Sequence, residues 1–134
     1  MTDAELATHY RSYLDCLNTR RLDGLDAFVQ DELTYNGNPM TRADYRALLE
    51  DDIAAIPDLA FDVGLLVVGG EQVACRLEFH CTPEREWRGL RPSGRSIAFA
   101  EHVFYAFRDG RIAEVWSLLD QAAIEEQLAA PGSG

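Results

Sequence analysis

The chain is poor in cysteine, in basic residues and in long apolar runs, and each shortage excludes a class of protein. Only three cysteines occur among 134 residues: Cys16, Cys75 and Cys81. None of them shows a metal-binding Cys-x-x-Cys spacing, and an odd number argues against a disulfide framework. Were Cys75 and Cys81 on one strand, they would stand about 20 Å apart at a rise of about 3.3 Å per residue, far beyond disulfide reach. All three read as buried thiols, and no metal is expected. Lys and Arg number 12 against 23 Asp and Glu, a formal net charge of −11. Such a surface repels phosphate backbones and anionic bilayers, so neither nucleic acid nor membrane is an expected partner. No apolar stretch approaches membrane-spanning length and Met1–Tyr10 lacks a signal-peptide pattern, so the expected compartment is cytoplasmic.

What is present can build a core. Apolar residues make up 47% of the chain and charged residues 26%, an ordinary globular balance, and the length suits one domain over residues 1–134. Between Asp3 and Arg20, Leu6, Tyr10, Tyr13, Leu14 and Leu17 recur at helical spacing, with Thr2 or Asp3 as cap. Leu22, Leu25, Phe28 and Val29 repeat the pattern and predict a second helix. Thr34–Met40 holds Asn36, Gly37, Asn38 and Pro39, a short strand ending in a turn. Thr41 and Asp44 open a third helix through Tyr45, Leu48, Leu49, Ile53 and Ile56, stopped by Pro57.

Most of the remainder is predicted strand: Leu59–Val68, Val73–Cys81, Ile97–Phe107 and Ile112–Leu118, with Gly69-Gly70 between the first two. Thr82–Arg95 carries Pro83, Gly89, Pro92 and Gly94 and reads as a loop long enough to border a pocket. Gln121–Leu128 predicts a last helix, and Pro131–Gly134 a flexible end. Helices followed by strands imply an α+β fold, with helices over one face of an antiparallel sheet.

Asp109-Gly110 is the strongest turn signal, because both residues tolerate the positive φ of a two-residue hairpin loop. Counting outward pairs Phe107 with Ile112, Tyr105 with Glu114, Val103 with Trp116, Glu101 with Leu118 and Phe99 with Asp120. These share one face, a mixture of acids and large apolar groups that suits a pocket better than a dry core. A carboxyl placed there has its pKa raised toward the range useful for proton transfer. Acids at a solvated rim, or paired with Arg76, explain the same pattern equally well. The other face collects Ala98, Ala100, His102, Phe104, Ala106, Ala113, Val115, Ser117 and Leu119, small enough for two sheets to approach as a homodimer. A single bulge would swap part of this assignment.

Several segments resemble a known family: Pro57-Asp58-Leu59, Gly70-Glu71-Gln72-Val73-Ala74-Cys75-Arg76, Gly89-Leu90-Arg91-Pro92-Ser93-Gly94-Arg95, and Asp109-Gly110-Arg111-Ile112-Ala113-Glu114-Val115-Trp116 with Asp120. In order and spacing, from about Tyr10 to Leu128, they look like SnoaL-like polyketide cyclases and ester cyclases. The resemblance implies the cone-shaped, nuclear transport factor-like fold shared with ketosteroid isomerase and limonene epoxide hydrolase. It also implies a cofactor-free intramolecular aldol ring closure, with Asp120 at the place of the family's acid/base aspartate. Where many members carry Gly-Thr-His, this chain has Cys81-Thr82-Pro83, so contacts made by that histidine are not carried over.

The candidate catalytic set is therefore Asp120 as acid/base with Glu101 or Tyr105 orienting or polarising the substrate. Trp116, Tyr35, Asn36, Trp87 and Arg76 are the candidate substrate contacts. For Asn36, turn formation is an equal explanation, and for Trp87, anchoring of its loop. Arg76 followed by Glu78 resembles the arginine and acid pairing of the epoxide hydrolase relatives. A solvent-facing ion pair is the favoured reading, since Val73, Cys75, Leu77 and Phe79 form the evident core side of that strand. The leading expectation is an enzyme acting on a small apolar carbonyl compound. A hydrolase, dehydratase or isomerase using the same pocket, or a non-catalytic ligand-binding dimer, stands beside it.

Overall fold

A computed structural model describes residues 1–129; the expected flexible end, Pro131–Gly134, lies outside the described residues. Helix α1 (Asp3–Asn18) opens on a reciprocal cap. The Thr2 hydroxyl accepts from the Glu5 N–H at 3.1 Å, and the Glu5 carboxylate accepts from the Thr2 N–H at 2.9 Å. Its stripe Leu6, Tyr10, Tyr13, Leu14 and Leu17 is buried as predicted. The expected second helix shrinks to a 3-10 segment, Leu22–Ala27, and Val29 instead opens strand β1 (Val29–Tyr35). A six-residue segment interrupted by Gly24 gains little from helical propagation, and Val29 is buried by pairing into the sheet.

Strand β2 (Asn38–Thr41) returns through Asn36-Gly37, both at positive φ. Helix α2 (Arg42–Ala55) has the predicted Thr41–Asp44 capping box. Strands β3 (Asp62–Gly69), β4 (Gln72–Cys81), β5 (Ile97–Arg108) and β6 (Arg111–Leu119) follow, then helix α3 (Gln121–Ala129). The curved, unclosed sheet has the order β2-β1-β6-β5-β4-β3. It is antiparallel except at one seam, where β1 runs parallel to β6. The helices cover one face, so the β4 residues Val73, Cys75, Leu77, Phe79 and Cys81 are buried while Arg76, Glu78 and His80 are exposed. Among the described residues, no helix is long and apolar enough to cross a membrane.

The β5–β6 hairpin begins as counted and then departs. Arg108 pairs with Arg111 and Phe107 with Ile112, but Ala106 pairs with Glu114, leaving Ala113 as an extra residue. Beyond this bulge every partner is displaced by one: Tyr105 faces Val115, Val103 faces Ser117 and Glu101 faces Leu119. Because side chains alternate along a strand, one inserted residue exchanges the faces of all that follow. Val115, Ser117 and Leu119 turn under the helices, and Trp116 and Leu118 turn outward, 40% and 74% exposed.

Helix α3 closes the end of the sheet. Ile124 is fully buried, and the Gln127 side-chain amide pairs with the Ala98 backbone, donating to its carbonyl at 2.6 Å and accepting from its N–H at 2.8 Å.

Candidate active site

A cavity of about 570 Å³ lies between the helix-covered sheet face, helices α1 and α2, and the 82–96 loop, a volume suited to a small organic ligand. Much of its wall is apolar, with Leu49, Leu59, Phe61, Leu77, Phe79 and Phe99 contributing. Phe79 and Phe99 stack with ring centroids 4.9 Å apart. Into this wall β5 projects Glu101 and Tyr105, β6 projects Ser117 and β1 projects Tyr35. On α2 the spacing Tyr45, Leu49, Asp52 places one apolar and two polar side chains on the same inner stripe.

Glu101 is the central acid. Burial raises its pKa above the ordinary carboxylate range, opposed by a hydrogen bond from the Ser117 hydroxyl and by the charge of Arg88, and reinforced by Asp52. Asp52 is a second carboxyl in the same cavity. Its pKa too is raised by burial, while the Trp87 indole N–H donates to its Oδ1 at 2.9 Å and Arg88 stands 3.7 Å from its Oδ2. The loop is pinned here. Trp87 packs on Phe99, and Trp87 and Leu90 exchange backbone hydrogen bonds around a tight turn that presents Arg88 at its tip.

Phenols complete the interior. The hydroxyls of Tyr13 and Tyr45 are 2.6 Å apart, and the Tyr10 hydroxyl donates to that of Tyr105 at 3.3 Å. Burial dominates in raising the pKa of all four, so they remain protonated in the neutral range.

Of the residues singled out in the sequence, the structure gathers Glu101, Tyr105, Tyr35 and Trp87 around the cavity. Four lie elsewhere. Asp120, expected to face the pocket opposite Phe99, is exposed one residue past the end of β6, because the bulge shifts the register. Its backbone N–H donates to the Ala100 carbonyl at 3.1 Å, and its Oδ1 accepts from the Ala123 N–H at 3.1 Å, which makes it the N-cap of α3. Trp116 is turned to the outer face by the same bulge.

Asn36 sits in the β1–β2 turn, where its amide bonds the Ser117 backbone on both sides, accepting at 2.8 Å and donating at 3.2 Å. It therefore orders the strand that carries Ser117 from outside the cavity. Arg76 lies on the outer face, 3.3 Å from Glu78 and 2.8 Å from His102, the solvent-facing pairing favoured from the core pattern of β4.

Asp52, Ser117, Tyr13, Tyr45 and Arg88 were not singled out. Asp52 was readable as an acid three residues beyond Leu49 on an otherwise apolar stripe. Tyr13 and Tyr45 counted only as apolar positions, which ignores what a buried hydroxyl needs. Ser117 was hidden by the register, and Arg88 by its place in an irregular loop. Among the described residues, no group of three or more His, Cys, Asp or Glu is placed to hold a metal ion.

Residues 7–128 match the sequence profile of the SnoaL-like polyketide cyclases. The fold superposes on a SnoaL-like polyketide cyclase from Agrobacterium tumefaciens with a TM-score of 0.87 and 45% identity, covering 92% of this chain and 97% of that one. TsrD from Streptomyces laurentii gives 0.88 at 21% identity, covering 98% and 99%. IdmH from Streptomyces antibioticus gives 0.82 at 23%, covering 93% and 99%; these two likenesses speak for the fold alone. No curated protein matches the chain. Profile, identity and fold agree, and the chain belongs to the SnoaL-like polyketide cyclase family.

Proposed function

We propose that the protein is a cofactor-independent acid/base enzyme that closes a ring in a small, largely apolar carbonyl compound by intramolecular aldol addition, with Glu101 carrying the proton. Membership of the family supports a function of the cyclase or isomerase type. The observation that carries the assignment is Glu101 itself: a half-buried carboxyl of raised pKa, held by Ser117, facing an apolar cavity of substrate size.

In the proposed step the Glu101 carboxylate takes a proton from the carbon next to a carbonyl, and the bonding pair moves onto the carbonyl oxygen. The enolate carbon attacks a second carbonyl of the same molecule, forming the new carbon–carbon bond. The resulting alkoxide takes the proton back from Glu101, so nothing is gained or lost. Asp120, whose role came from resemblance, is assigned to capping α3, since among the described residues its side chain reaches only the Ala123 N–H. The second carboxyl, Asp52, favours an alternative in which the pair positions water or a leaving hydroxyl, as in a hydrolase or dehydratase.

The test is deuterium exchange at the α-carbon of a panel of 1,3-dicarbonyl compounds in D2O, followed by NMR. Native protein is expected to accelerate exchange and Glu101→Gln to lose the acceleration; an equally active, folded Glu101→Gln removes Glu101 from the chemistry. Oxygen-18 from labelled water incorporated into product would favour the hydrolytic alternative. No accelerated exchange with native protein, despite ligand binding, would favour a binding module.

We further propose a cytoplasmic homodimer. Its three cysteines are free thiols, which suits a reducing compartment. Leu65, Val67, Phe104, Trp116 and Leu118 form an exposed apolar face on the sheet side away from the helices, larger in character than isolated surface residues. A monomer by light scattering at working concentration would refute the dimer.

A further inference from the structure

We infer that Tyr45 is the group that receives the substrate's enolisable carbonyl oxygen, with Tyr13 as the residue that positions and strengthens its hydroxyl. The inference deepens the proposed reaction and rests on it in one respect: it supplies the donor that a Glu101-generated enolate requires.

Counting protons leads there. A phenol has one O–H to donate and lone pairs that accept. Tyr13 and Tyr45 are only 1% and 5% exposed, and their oxygens, 2.6 Å apart, share one hydrogen bond. A pair sharing one bond uses one of its two protons. Neither hydroxyl has another protein partner among the described residues, so one buried O–H is left over. Both rings line the cavity, and a buried donor without an acceptor is unfavourable until something accepts from it. An oxygen acceptor on the ligand meets that need.

Which proton is left over follows from the pair's asymmetry. The geometry admits either oxygen as donor, and Tyr45 is the more exposed of the two, 5% against 1%. With Tyr13 donating, the spare O–H falls on Tyr45, the more accessible of the two rings. Donation from Tyr13 also polarises the Tyr45 hydroxyl and makes it the stronger donor. Tyr105 serves this purpose less well: its hydroxyl is held by Tyr10 at 3.3 Å, without a comparably short relay.

The placement relative to the acid is right for enolisation. Glu101, Tyr13 and Tyr45 line the same cavity of about 570 Å³, so base and donor lie within one small molecule's reach of each other. Negative charge leaving Glu101 with the proton's transfer appears on an oxygen facing a two-phenol relay in a water-poor site, where a preorganised donor is most effective. The substrate class follows: a carbonyl with an acidic α-position whose oxygen must reach a buried phenol past apolar walls, and which therefore carries no charged group at that end.

The experiment uses two unreactive probes. The first is 4-nitrophenol, whose phenolate mimics an enolate and reports its own ionisation by absorbance. Native protein is expected to bind the phenolate and lower the probe's pKa, and Tyr45→Phe to weaken phenolate binding by about tenfold to hundredfold, the range for a hydrogen bond to a charged group. Tyr13→Phe should lower it severalfold, and Glu101→Gln should leave it intact or tighter, because a nearby negative charge is removed. The second probe is isotope-labelled acetophenone, whose carbonyl stretch should move to lower frequency on binding to native protein and less so in Tyr13→Phe.

Equal phenolate affinity in native protein and folded Tyr45→Phe overturns the inference, as does a native protein that binds neither probe. Should Tyr45→Phe fail to fold, an acetophenone stretch unshifted in native protein, or equally shifted in Tyr13→Phe, overturns it, and the expected pattern supports it. Failure of the Glu101 reading shows separately, as active Glu101→Gln or as absent α-proton exchange with phenolate binding preserved.

Discussion

Replacing Asp120 separates its place in the chain from its place in space. Among the described residues the side chain accepts one hydrogen bond, from the Ala123 N–H at the start of α3, and it is otherwise exposed. Truncation to alanine should therefore remove an N-cap and little else, about 1 kcal/mol. A 134-residue chain unfolds with about 0.28 kcal/mol/K of entropy, so this loss lowers Tm by about 3–4 °C. The helix should stay docked, because buried Ile124 and the Gln127–Ala98 pairing do not depend on the cap. Asparagine caps as well as aspartate, so Asp120→Asn should leave Tm within about 1 °C. Calorimetry of the three proteins measures the stability part. The α-proton exchange assay measures the rest, and both variants should keep at least half of native activity. A folded Asp120→Asn that has lost more than tenfold in exchange rate would refute the geometric reasoning and return the carboxylate to the chemistry.

Glu101→Gln should change the pH dependence of stability in a defined direction. Burial raises the carboxyl's pKa in the folded state, so the native protein holds a proton that the unfolded chain releases, and stability falls as pH rises from the ordinary glutamate value through the raised one. Over that window the variant's denaturant midpoint should fall less steeply than native, and a parallel curve would count against a half-buried, titrating Glu101. Activity should rise with pH over the same window, since the base works only when ionised, and a pH profile with its lower limb at the ordinary carboxylate value would show otherwise. Trp87→Phe keeps the ring but deletes the N–H donated to Asp52; urea melts should show a loss of about 1–3 kcal/mol, and ligand affinity should fall through the loosened loop. Leu118→Glu places a charge on the exposed outer face and should yield monomers by light scattering without shifting the exchange activity per chain.

The fold was largely legible because its signals are local. The stripe Leu6 to Leu17, the Thr41–Asp44 cap, the alternation Val73 to Cys81 and the Asp109-Gly110 turn each depend on neighbouring residues and appear as read. The site was half legible for a physical reason. Glu101 and Tyr105 lie on β5, whose parity survives any defect in its partner, whereas Trp116 and Asp120 lie beyond Ala113, where one bulge inverts every assignment. The pattern itself misled, since Trp116 and Leu118 are apolar enough to look like core, and a reader who assumes that large apolar groups point inward picks the wrong face. The parallel pairing of β1 with β6 was hidden too, because it joins residues as distant in sequence as Val29 and Ile112 and leaves no mark in either segment.

The two tryptophans occupy separate compartments: Trp87 is buried at the cavity mouth with its N–H on Asp52, and Trp116 is half exposed on the far side of the sheet. The molecule thereby carries two fluorophores that answer different questions. Emission from Trp87 should lie to the blue and respond to cavity occupancy, and emission from Trp116 should lie to the red and respond to whatever settles on the outer sheet. Silencing one at a time, with Trp116→Phe or Trp87→Phe, turns a single cuvette measurement into an independent readout of ligand entry or of self-association.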